Sequence, residues 1–300
     1  MAEEITCLVA LHGVVGMGHQ SLQRLIDRFG TAERAVAQCT EADLRQIPGL
    51  TAEMRRGVLA CRERLPWAER IAQQMARIGV KVILSGHPDY PERLRELSAP
   101  PRILYVIGDA ALLRAPSAAI VGSTSPSEKG KGLATEIARR LARSDCVVVS
   151  GMANGVDLAA HRGAIEAGGR TAFILPTGIL RFEPGRELPP LKTWRDRAVV
   201  VSECPPEAEW SSNAAVARNR LIAALGSALI VVETRAKGGA MYTFRNAQEL
   251  GRPIFVVKYG APPPSASGNN FAIAQGGIPL ARLSEVQSVI AAAREQKSRI

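Results

Sequence analysis

At 300 residues, 46% hydrophobic and 22% charged, the chain can bury one large core and has room for a small second domain. No apolar run approaches the roughly 18 residues that cross a bilayer, and the acids in MAEEITCLVALHG are unlike a secretory leader, so a cytoplasmic protein without membrane contact is expected. Five scattered cysteines with no C-x-x-C pair suggest neither a disulfide framework nor a zinc site, and the net charge of +10 suits a polyanionic partner or, equally, a solvated basic surface.

Residues 1–65 read as a small all-helical domain. SLQRLIDRFG places Leu22, Leu25, Ile26 and Phe29 on one helical stripe that stops at Gly30. LHGVVGMGHQSLQRLI and LRQIPGLTAEMRRGVL each run from an apolar stretch through a glycine turn into a helix, the pattern of paired helix-hairpin-helix units. Such turns let backbone N–H groups approach phosphates, but the near-neutral charge of this segment favours a packing role. Residues 1–114 hold 15 Lys and Arg against 13 Asp and Glu, so most of the positive charge belongs to the remainder.

From Trp67 the pattern changes to alternating strands and helices, defining a larger domain over 66–283. KVILS, RILYVIG, SAAIVGS, CVVVSG, TAFILP, AVVVSE, SALIVVE and PIFVVK are continuous apolar runs, as strands buried on both faces require. Helices are expected at 128–142, 155–167, 214–225 and 240–250. The fold class is therefore α/β, a doubly wound, mostly parallel sheet. Two long loops, 180–197 and 259–270, interrupt it, and a short helical, basic tail occupies 284–300.

In such a sheet, ligands sit beyond the carboxyl ends of the strands. The loops there carry Gly122, Ser123 and Thr124, then Gly151, Asn154 and Gly155, then Gly178, then Gly238 and Gly239. Together they suggest a phosphate-lined crevice. Neither G-x-G-x-x-G nor G-x-x-x-x-G-K-[ST] occurs, which removes the main support for a dinucleotide enzyme or a P-loop NTPase. AVARNRLIAALG adds Arg218, Asn219 and Arg220 near the start of a helix, two guanidinium forks for a phosphate unless one pairs with Glu203 or Glu233. Cys204 reads as a small strand-end residue, since no histidine segment is placed to activate it.

The ordered strings AIVGS, VVVSGMANGVDLAAHRGAIEAGG, PTG, SECPP, ARNRLIAAL, ALIVVET, GGAMYTFRNAQELGRPIFVV and SASGNNFAIAQGG resemble the DNA-processing protein A (DprA/Smf) family across roughly residues 8–283. The resemblance implies an extended Rossmann-like fold after a helix-hairpin-helix or SAM-like domain. It also implies single-stranded DNA in the crevice, a homodimer, a RecA-type recombinase as partner, a role in transformation or recombination, and no catalysis, cofactor or metal. Thr124 stands where the family usually has arginine, and Asn154 where it often has lysine. Lys129, Lys131 and Arg162 are the nearby cations that would compensate.

Asp157 and His161, four apart, read as scaffold: Asp157 capping or orienting its helix, His161 one turn later. Tyr242, Phe244 and Phe271 are the candidate stacking platforms for bases. Two further functions remain open. One is a nucleotide-binding sensor or phosphoribohydrolase-like enzyme with Glu233 as acid or base; the other is a scaffold with a vestigial crevice.

Overall fold

The architecture comes from a computed structural model that describes residues 2–295. Six helices lead the chain: α1 (Ala2–His12), α2 (His19–Phe29), α3 (Ala32–Gln38), α4 (Glu41–Arg45), α5 (Ala52–Leu59) and α6 (Cys61–Arg77). Thr31, Thr40 and Thr51 each accept a first-turn N–H, so three of these helices begin at side-chain caps. The stripe of α2 is buried at Leu22, Leu25 and Ile26 as its spacing predicts. The change of pattern at Trp67, however, falls inside α6, which runs on to Arg77.

Nine strands follow: β1 (Lys81–Leu84), β2 (Ile103–Gly108), β3 (Ser117–Val121), β4 (Val147–Ser150), β5 (Thr171–Leu175), β6 (Ala198–Ser202), β7 (Ala228–Val231), β8 (Ile254–Val257) and β9 (Ile278–Leu280). They form one sheet in the order β1-β2-β6-β5-β4-β3-β7-β8-β9. From β6 to β9 all neighbours are parallel; β2 is antiparallel to β6 and β1 antiparallel to β2. All eight apolar runs became strands. The ninth, Ile278–Leu280, had no run to mark it, being three residues with a central proline and an exposed first residue.

The remaining helices are α7 (Glu128–Arg143), α8 (Val156–Glu166), α9 (Ser212–Leu225), α10 (Ala240–Glu249), α11 (Asn269–Ala274) and α12 (Val286–Glu295). Four of them match the expected spans within two residues. The tail expected at 284–300 begins as α12; Lys297 and Arg299, its basic end, lie outside the described residues. Between β5 and β6 no α-helix forms. Leu188 and Trp194 are buried there instead, with Trp194 and Phe182 against Phe173 at ring-centroid distances of 5.4 and 5.7 Å.

One hydrophobic cluster runs from the leading helices (Leu8, Leu25, Met75) to the sheet (Ile103, Tyr105, Phe173) and that loop (Trp194). On the other faces, α7 and α8 pack closely enough that a Cβ at Gly163 would lie 2.2 Å from the Thr135 carbonyl oxygen. Gly163→Ala is therefore expected to destabilise the chain by about 1–3 kcal/mol, because two helix backbones must separate. A lower urea midpoint at unchanged m value is the expected result; an unchanged midpoint would refute the close approach.

Candidate functional site

Strand order reverses between β3 and β7, where β3 leads on one side through β4, β5 and β6 and on the other pairs with β7. At such a point two carboxyl-end loops diverge and leave a crevice. Here it is a cavity of about 410 Å³ lined by Gly122, Ser123, Thr124 and Ser125 after β3, Asp157 of α8, Val216, Arg218 and Asn219 of α9, and Thr234, Arg235, Gly238 and Gly239 after β7.

Arg218 dominates the cavity. It is 5% exposed, its Nη1 stands 3.8 Å from Asp157 Oδ2, and its buried Nε and Nη1 have no hydrogen-bond partner. Burial lowers its pKa, opposed by the Asp157 carboxylate. Burial raises the pKa of Asp157 in turn, opposed by Arg218 and by the Ala153 N–H that Asp157 accepts at 3.4 Å. The guanidinium is thus ion-paired with Asp157 yet short of hydrogen bonds at two nitrogens, an unusual state for a buried polar group beside a cavity.

Gly151 is what lets it lie there. A Cβ at Gly151 would fall 1.5 Å from Arg218 Nη1 and 2.5 Å from Asp157 Oδ2. The Gly151 carbonyl accepts the His161 Nε2–H at 2.7 Å, while His161 Nδ1 lies 2.6 Å from Thr171 Oγ1, which also reaches the Val148 carbonyl, and the ring stacks on Phe173. Burial drives the imidazole down to about 3, so His161 is a neutral support for the Gly151 turn. Asp157 does not cap α8, which has no side-chain cap; it accepts the Ala153 N–H of the turn ahead of that helix and lies 3.8 Å from Arg218.

The structure gathers Gly122, Ser123, Thr124, Arg218, Asn219, Gly238 and Gly239 around the cavity, and Asn219 Nδ2 reaches the Gly239 carbonyl at 3.4 Å. It does not gather Gly151, Asn154, Gly155, Gly178 or Arg220, none of which lines it. Gly151 lies behind Arg218, and Asn154 is exposed beside the site. Gly155, at φ +80°, sits where a Cβ would meet the Ser123 oxygen at 2.5 Å, so it clamps α8 to the β3 loop. Gly178 donates its N–H to Ala208 O at 2.8 Å and packs on the Pro205–Pro206 backbone.

Arg220 pairs with Glu203, which also accepts His19 Nε2 at 3.0 Å. Residues two apart on a helix do not share a face, so Arg218 and Arg220 cannot grip one ligand together. Nor do they stand near the start of the helix, since α9 begins at Ser212 and places them in its second turn and beyond.

The compensating cations are elsewhere: Lys131 pairs with Glu128, Arg162 with Glu166, and Lys129 lies over the Tyr259 ring. The second cation of the cavity is Arg235, exposed and without an ion pair among the described residues. Sequence reasoning missed it, although it directly follows the strand-end run SALIVVET. Of the aromatic candidates, Phe244 is core, while Tyr242 and Phe271 are about half exposed. Cys204 is held up near 11 by burial and Glu203, an inert thiol.

Glu233 is fully buried and accepts from Ser127 N, Ser127 Oγ, Tyr259 Oη and Ser265 Oγ at 2.6–3.0 Å. It does not line the cavity and offers it no acid or base. Among the described residues no cluster of three metal-ligating side chains occurs, and no helix is long and apolar enough to cross a membrane.

Residues 81–291, more than two thirds of the chain, match the family described as DNA recombination-mediator protein A. The chain belongs to that family. Among curated members of the DNA recombination-mediator protein A family it is 31% identical to DNA processing protein DprA of Bacillus subtilis over 70% of this chain and 71% of that one. It is 28% identical to protein Smf of Synechocystis over 81% of this chain and 61% of that relative. The solved DprA of Streptococcus pneumoniae superposes with a TM-score of 0.75 at 24% identity, covering 94% of this chain and 97% of that one. The DprA of Helicobacter pylori, whose structure concerns a single-stranded DNA binding mode, superposes at 0.63 with 25% identity, covering 72% of this chain and 98% of that one.

Proposed function

We propose that the chain binds single-stranded DNA by its backbone, with one phosphate seated against Arg218, and that it acts as a binding protein without catalysis. The observation that carries this is the buried Arg218 guanidinium, which lines a glycine-rich cavity and has two nitrogens, Nε and Nη1, without a hydrogen-bond partner. Gly122, Ser123, Gly238 and Gly239 supply backbone close to the ligand, and Arg235 adds a solvent-facing cation. Few exposed aromatics flank the cavity, so affinity rests on phosphates and falls steeply with salt. Sequestration of Glu233 supports binding over the phosphoribohydrolase-like alternative.

Membership of the recombination-mediator family supports the rest of the reading: a cytoplasmic homodimer that helps load a RecA-type recombinase. Sedimentation of the full chain and a strand-exchange assay with a RecA-type protein are its tests; a monomer, or no stimulation, would remove those parts.

The decisive experiment is binding of labelled oligo-dT and of an equal-length duplex across a salt series, with wild type, Arg218→Met and Arg235→Ala. Loss of a charge-assisted hydrogen bond predicts weakening of about 10- to 100-fold for Arg218→Met. The log–log salt slope should become shallower by about 0.7 for each phosphate that is no longer neutralised. Arg235→Ala, at an exposed site, should lose about threefold. Equal affinity of wild type and Arg218→Met, with both folded, would overturn the reading.

A further inference from the structure

A second cavity, of about 480 Å³, opens between α2 and the β1–β2 end of the sheet. Its lining includes Arg24, Arg95, Arg102, His19, Gln20 and Ser85, and no carboxylate. Arg102 donates to Ser85 Oγ at 2.7 Å, yet its Nε is buried without a hydrogen-bond partner. Arg24 binds only the Pro48 carbonyl, at 2.8 Å. Neither guanidinium has an ion pair among the described residues; Arg95 is paired, with Glu92 at 2.9 Å.

The cavity also faces the first turn of the 11-residue helix α2, whose N-cap is Gly18 and supplies no side-chain oxygen to the free N–H groups. His19 is fixed by its neighbours. Its Nδ1 accepts the Arg102 N–H at 3.3 Å, and its Nε2 donates to Glu203, the residue that holds Arg220. The walls of this cavity are thus tied to α9, the helix that carries Arg218.

Its position in the sheet matters as much as its charge. Because β2 is antiparallel to β6, the start of β2 and the end of β1 lie at the same edge as the carboxyl ends of β3 and β7. Both cavities therefore open at one edge, four to five strand steps apart, about 20–25 Å at the usual spacing.

We propose that this second cavity is a phosphate-binding site, built jointly by α2 and the β1–β2 edge, that takes a later phosphate of the same strand held at Arg218. Recognition of a phosphate oxyanion follows from its own lining; that the phosphate belongs to a DNA strand rests on the function proposed above.

The test separates these. Gln20→Glu puts a carboxylate in the cavity at an exposed first-turn position, where an acid favours the helix, and Arg24→Ala removes an exposed cation. With labelled dT3, too short to bridge the cavities, and dT20, each variant is expected to lower the dT20-to-dT3 affinity ratio by about three- to tenfold and to make the dT20 salt slope shallower by about 0.7. An unchanged ratio and slope in both would overturn the strand path, whatever Arg218→Met does. In an Arg218→Met background, calorimetry with sodium tripolyphosphate reads the cavity without DNA. Weaker binding after Gln20→Glu is expected. Equal binding, or none before the change, would overturn the phosphate site itself, while failure of wild type to bind either oligonucleotide would overturn only the DNA reading.

Discussion

Acidification from pH 7 to pH 4 is expected to remove about 6 kcal/mol of folding stability, roughly 3 kcal/mol from each of two buried histidines. His12 and His161 are both fully desolvated, and burial lowers each to about 3 from an ordinary 6.5. The unfolded chain takes up these protons below pH 6.5 and the folded chain does not until near pH 3. Their stabilisation is therefore complete above 6.5 and drains away as pH falls toward 3. Asp157, whose pKa is raised, works in the opposite sense and softens the fall. Against a usual domain stability of about 5–15 kcal/mol, the loss brings the chain close to unfolding. Urea midpoints at pH 7, 5.5 and 4 check it: wild type should decline steadily, and a His12→Gln/His161→Gln variant should start lower but run flat. A flat wild-type profile would show that these rings are not desolvated as described.

Replacing Glu233 by alanine should cost about 4 kcal/mol or more, the second large effect. Four hydrogen bonds converge on this carboxylate from Ser127, Tyr259 and Ser265, and Gly130 lies so close that a Cβ there would meet Oε1 at 2.4 Å. It joins the end of β7 to the start of α7 and to the loop after β8. Alanine leaves those donors buried and unmatched, at about 1–3 kcal/mol for each that finds no water. Glutamine, which keeps one oxygen and presents an NH₂ to a donor, should cost about half as much. Chemical denaturation decides the matter: a Glu233→Ala protein within 1 kcal/mol of wild type would show that the residue is no structural hub and would reopen a chemical role.

Why these effects were only partly legible in the sequence follows from what a linear pattern carries. Continuous Val and Ile runs announce strands buried on both faces, and eight of them appeared where expected. Direction is not written in such runs, so the antiparallel β1 and β2 were not foreseen, and with them went the second cavity. Ile278–Leu280 has too little apolar surface to announce itself. Within the site, Arg218 and the glycine loops after β3 and β7 were visible from residue type and position. The separation of Arg218 from Arg220 follows from helical geometry, but the destination of Arg220 at Glu203 depends on how distant segments pack. Asp157 was legible as a helix-start acid; that it faces Arg218 across the chain required the fold. Glycines misled because one residue type serves two ends: Gly122 borders a cavity, whereas Gly155 and Gly178 let backbones meet.

The hydrophobic cluster shared between the leading helices and the sheet has a mechanical consequence. Helices that share one packed cluster with a sheet move with it, so α2 is expected to hold its place rather than swing in to meet a ligand. The two cavities then act as fixed marks on a ruler. A flexible strand must bring its own phosphates to that spacing, and affinity should rise as a step once an oligonucleotide is long enough to reach both marks, rather than climbing evenly with each added nucleotide.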